Sequence, residues 1–129
     1  IQFNIPKDAI QIYDLGTDVC NEKIYDMDLV LYVCNGSFWH LNDIYRNHSI
    51  LKKMTASLSV ICNMCSRQDA SAIATLLNCS VYHFPYDSDM FKSSVQKETL
   101  IQKLLELKGG ASLSDTLKGY LRKSILHHS

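Results

Sequence analysis

Four short polar or turn-forming segments, each following an apolar run, hold most of the residues able to do chemistry. They are Asp14-Leu15-Gly16-Thr17, Asn35-Gly36-Ser37, Asn63-Met64-Cys65-Ser66 and Pro85-Tyr86-Asp87-Ser88. Asp14 follows AIQIY; a carboxylate there can hold a divalent cation, directly or through water, or accept backbone N–H groups in a turn. Asn63 follows LSVIC. Its amide offers a donor and an acceptor together, which suits the edge of a base; an Asn in that position also suits a turn or a helix cap. Pro85, Tyr86 and Asp87 combine rigid backbone, a ring and a carboxylate. They can wall a base pocket, or simply stop a strand and turn it. Phe38 and Trp39, after Ser37, fit an exposed partner-docking patch and equally a core at a helix start.

The five cysteines, at positions 20, 34, 62, 65 and 79, are odd in number and lie mostly in apolar runs. That placement argues against a disulfide framework and for reduced, mostly buried thiols. Cys62 and Cys65 form a C-x-x-C between a strand-like run and a helix-like run, where a thioredoxin-like redox site would sit. Against that reading, Cys62 belongs to the apolar run itself and the motif comes after three strand-like runs. A zinc site is weaker still, because no second pair accompanies the motif and His40, His48 and His83 share no ligand spacing with it.

These segments need elements to position them. Apolar runs at 9–13 (AIQIY), 29–34 (LVLYVC), 58–62 (LSVIC) and 81–84 (VYHF) predict strands, with a short edge strand over 2–5 that stops at Pro6. Between them, Leu41, Ile44, Tyr45, His48 and Leu51 share one helical face over 41–54. Ala70, Ile73, Ala74 and Leu77 do the same over 67–77, with Asn78 as the end signal. Further helices are predicted over 97–107, ended by Gly109-Gly110, and from Ser112, which with Asp115 resembles a capping box. Alternating strands and helices imply βαβ crossovers and a mainly parallel sheet. The prediction is therefore an α/β fold, a three-layer Rossmann-like sandwich of the P-loop NTPase type, in a single domain over 1–129. In such a sheet ligands bind beyond the carboxyl ends of the strands, where the four segments would gather.

Strand-Asp14-Leu15-Gly16, then Asp28-Leu29-Val30-Leu31-Tyr32-Val33, then Val60-Ile61-Cys62-Asn63, then Phe84-Pro85-Tyr86-Asp87 resembles, in order and spacing, the ParA/MinD-type ATPases. Those proteins read as an apolar strand ending in Asp, a second strand before a helix, a third ending in Asn, and a final Pro-Tyr-Asp-like turn. The resemblance covers about residues 9–107, and "DLG" and "FPYDSDM" look most similar to the CpaE/TadZ-like pilus-assembly branch. It implies an ATP-binding switch that positions or assembles a partner complex, works as a homodimer or in a protein assembly, and is cytoplasmic, with recruitment to the membrane or cell pole by partners. Asp14 would be the Walker B residue that binds Mg²⁺ and supports hydrolysis. Asn63 would contact adenine, Pro85, Tyr86 and Asp87 would form the loop beside the base, and Phe38 and Trp39 would lie near the partner-facing surface.

The chain departs from the family in one respect that decides its activity. No G-x-x-x-x-G-K-[ST] occurs in it, so no loop here cradles phosphates. Hydrolysis is expected only if a Walker A motif lies upstream of Ile1, with this chain as the C-terminal part of a larger nucleotide-binding domain. The alternative is a non-catalytic interaction module on the same fold. A guanine-specific reading fails because Ser66 stands where an Asp would follow Asn63, and a receiver-type reading lacks the paired acidic residues. The 13 basic and 13 acidic residues cancel, which argues against a large nucleic-acid footprint. The longest apolar run, 29–34, is far short of the roughly 20 residues a membrane-spanning helix needs.

Overall fold

A computed structural model describes residues 10–84 and 94–104. Strand β1 (Val30–Asn35) leads through a 3₁₀ turn (Phe38–His40) into helix α1 (Leu41–Met54). Strand β2 (Leu58–Asn63), helix α2 (Arg67–Leu77) and strand β3 (Val81–Phe84) follow. A third helix, α3, occupies residues 95–104. The edge strand expected at 2–5, the Pro85 turn, the Gly109-Gly110 break and the helix expected from Ser112 lie outside the described residues.

The three strands form one parallel sheet in the order β1-β2-β3. Register is set by pairs such as Tyr32 with Val60, Cys34 with Cys62 and Asn35 with Asn63 on one side of β2, and Val60 with Val81 and Cys62 with His83 on the other. Right-handed crossovers in that order put both connecting helices on one face, and α1 and α2 indeed touch. Their apolar stripes, Ile44 from α1 and Ala70, Ile73 and Leu77 from α2, close on Cys34, Val60 and Cys62 from the sheet. Val60, Cys62 and Ile73 are at most 1% exposed. Burying a side chain the size of Ile73 contributes about 2 kcal/mol. On the opposite face Leu31 and Val33 remain 45% and 57% exposed.

Helix α2 has matched ends. The Ser66 hydroxyl accepts the Asp69 N–H (3.1 Å), while the Asp69 carboxylate accepts the Ser66 N–H (3.1 Å), a reciprocal capping box. At the other end Asn78 adopts the left-handed conformation (φ 50°) that its short polar side chain tolerates, as its sequence position suggested.

One expected element is not formed. Residues 10–13 make no strand, and Ile10, Ile12 and Tyr13 are 45%, 90% and 47% exposed. An apolar run becomes a strand only when a neighbour takes its backbone groups and a layer covers its side chains. Here β1 pairs with β2, and among the described residues no strand pairs with the run at 10–13.

Candidate functional site: a thiol-lined cleft at the carboxyl edge of the sheet

The carboxyl ends of β1 and β2 stop in register at Asn35 and Asn63. Beyond them the two following loops enclose a cleft of about 340 Å³, lined by Asn35, Gly36, Ser37, Met64, Cys65 and Asp69. The first wall is shaped by Asn35, whose side-chain oxygen accepts the Ser37 N–H at 3.1 Å and turns the chain out of the strand. The second wall begins at Met64, which sits at φ 53°. A non-glycine residue pays for that conformation; here it folds the chain back so that Cys65 returns over the end of β2.

The result is a close thiol pair. Cys62 Sγ lies 2.8 Å from Cys65 Sγ. Cys62 is fully buried, whereas Cys65 is partly exposed and faces the cleft. The two walls interlock at Gly36. A Cβ on residue 36 would overlap the Cys65 Cβ and come within 3.0 Å of the Asp69 Cβ. His83 on β3 supports the turn from below, its Nε2 2.8 Å from the Cys65 carbonyl oxygen. A carbonyl only accepts, so Nε2 carries the proton there.

Charge in the cleft is negative. The Ser66 hydroxyl and backbone N–H both donate to Asp69 and hold its carboxyl below the ordinary carboxylate range. Burial acts in the opposite sense on the thiols beneath, pushing Cys34 and Cys62 above the ordinary 9.0.

The expected site residues are distributed unevenly. Asn63 is at the end of β2, as expected, half-buried and beside the cleft without lining it. Asp14 does not end a strand. It is exposed, and its Oδ1 accepts the Gly16 N–H at 2.9 Å in a local turn with Gly16 at φ 58°. That is the turn chemistry weighed against cation binding for this residue. Pro85, Tyr86 and Asp87 lie outside the described residues. Phe38 and Trp39 are 77% and 87% exposed, their rings 6.3 Å apart in an edge-to-face arrangement. They are therefore surface and not core. Among the described residues no group of three His, Cys, Asp or Glu side chains could hold a metal ion, and no helix is long and apolar enough to cross a membrane.

Sequence reasoning missed the capping box, although Ser66 and Asp69 have the required spacing. It also missed the meeting of Gly36 with Cys65, whose only signal was a glycine immediately after a strand.

Comparison with protein-family models, with curated proteins and with solved structures finds no match to this chain. Over the described residues, fold and site together define an α/β protein with a small parallel sheet, three helices and a cleft at the sheet's carboxyl edge.

Proposed function

We propose that this chain is the base-side half of a ParA/MinD-type nucleotide switch, with the three-layer Rossmann-like architecture of that class, and that it positions a partner complex. The observation that carries the reading is the arrangement of Asn35 and Asn63, in register at the carboxyl edge of a parallel sheet beside an open cleft. In this reading the Asn63 amide contacts adenine, and Pro85, Tyr86 and Asp87 complete the base pocket. Partners dock through Phe38 and Trp39.

The phosphates and Mg²⁺ of ATP do not fit the described edge. The N-terminus of α2, where an anion would otherwise bind, is capped by the ionised Asp69. Asp14 stands alone in its turn. The chain by itself is therefore expected to bind Mg-ATP at best in the millimolar range and not to hydrolyse it, because a few base contacts are worth on the order of 1 kcal/mol each.

Titration of ¹⁵N-labelled chain with adenosine and with Mg-ATP, followed by amide chemical shifts, tests this. Weak perturbations centred on Asn35 and Asn63, alike for both ligands and lost in Asn63→Ala, are expected. No response at that edge would overturn the base site. Micromolar affinity for Mg-ATP would show that the phosphates bind somewhere unassigned.

A second reading, a non-catalytic interaction module on the same fold, is favoured by one observation. Two adjacent aromatic side chains, Phe38 and Trp39, stand almost wholly in solvent, where exposed aromatic residues are the commonest anchors of interfaces. Association that needs Trp39 and ignores nucleotide would select it.

A further inference from the structure

We infer that Cys62 and Cys65 are a dithiol that exchanges with small disulfides through the cleft and closes to an intramolecular disulfide. Three observations place them for it. The two sulfurs approach to 2.8 Å, closer than non-bonded sulfur atoms rest and within about 0.8 Å of the length of a disulfide bond. Cys65 is partly exposed and lines the cleft, whereas Cys62 is fully buried, so an attacking and a resolving residue are distinguished by access. The turn between them takes an uncommon conformation at Met64, and Gly36, with no side chain, leaves the space Cys65 occupies against the opposite wall.

The exchange balances as follows. The Cys65 thiol loses its proton to solvent, and its sulfur attacks a small disulfide R–S–S–R. The new bond joins Cys65 to one R–S group, and the other leaves as R–S⁻ and takes up a proton. Cys62 then loses its proton and attacks the Cys65 sulfur; the bond from Cys65 to R–S breaks and the second R–S⁻ leaves, again taking up a proton. Two protein thiols are oxidised and one small disulfide is reduced to two thiols. Because Cys62 is buried among apolar neighbours, its deprotonation limits the second step, and closure should speed up as pH rises.

Two other cysteines define the competing outcomes. Cys34 is paired in register with Cys62 on the adjacent strand, so a cross-strand bond between them is the alternative. Cys79 sits at the far end of α2, after its cap.

Incubation of the full chain with glutathione disulfide, followed by denaturation, thiol alkylation and tryptic mass mapping, tests the proposal. Cys62 and Cys65 share one tryptic peptide, 54–67, which contains no other cysteine. The expected result is peptide 54–67 unalkylated and lighter by two hydrogens, restored by dithiothreitol, whatever glutathione adduct the exposed Cys20 takes up on its own peptide. In the variant Cys65→Ala the buried Cys62 should remain an alkylatable thiol. Peptide 54–67 alkylated at both cysteines after incubation, a cross-link of that peptide to the Cys34 peptide, or a lasting glutathione adduct on Cys65 would each overturn it.

Discussion

At the scale of single residues, Gly36 is the position where the fold tolerates least. Its constraint is space, since a methyl group there meets backbone-anchored atoms of Cys65 and Asp69 and not the end of a flexible chain. Gly36→Ala should therefore cost about 1–3 kcal/mol, read as a lowered urea midpoint with an unchanged slope. Trp39→Ala is the contrasting case. An 87%-exposed ring has little packing to lose, so stability should stay within about 0.5 kcal/mol, while any association through this surface should weaken. The site was partly legible from residue types. Asn63 and the C-x-x-C could be located because both fall at the end of an apolar strand. The importance of Gly36 could not be read, because it depends on which loop lies opposite, and sequence spacing says nothing of that. Asp14 shows the opposite error: a carboxylate after an apolar run reads as a strand-end ligand, yet without a paired strand it makes a turn of its own.

At the scale of elements, α2 is the helix whose ends are most completely specified. Its first turn relies on the reciprocal bonds of Ser66 and Asp69. Ser66→Ala removes one of them and leaves a backbone donor unpartnered, at a cost of about 1 kcal/mol. Ser66→Thr, which keeps a hydroxyl, should recover most of it; thermal unfolding of the two variants makes the comparison. The three strands and both connecting helices were readable from hydrophobic period alone, since VLYVC, LSVIC and VYHF are short and apolar, and Ile44, His48 and Leu51 recur on one helical face. The run at 10–13 carried the same apolar signal and failed. Period reports what a segment could bury, and whether a neighbour exists to bury it against is a property of the whole chain.

At the scale of the whole molecule, buried titrating groups bound the pH range of stability from both sides. Burial, with Lys52 nearby, holds His48 below its ordinary 6.5. The unfolded chain then takes the proton more readily, so stability should fall as pH drops through and below about 6.5. Burial raises Cys34, Cys62 and Cys79 above their ordinary 9.0. The unfolded chain releases those protons first, so stability should also fall as pH climbs past about 9. Urea midpoints measured from pH 5 to pH 10 should trace a plateau between these limits. A midpoint that rises above pH 9 would contradict the burial of the thiols.

The place of β2 in the sheet has a consequence on the timescale of isotope exchange. Among the described strands only β2 is bonded on both sides, so its backbone amides should exchange with deuterium only when the entire domain opens, later than those of β1 or β3. Cys62 hangs from that strand with no exposed surface. A bulky maleimide should therefore label Cys62 no faster than deuterium reaches the amides of Val60 and Cys62, while Cys65, three residues along, should react from the closed state. The same strand thus makes one thiol of the pair a reporter of global opening and leaves its neighbour a reporter of the surface.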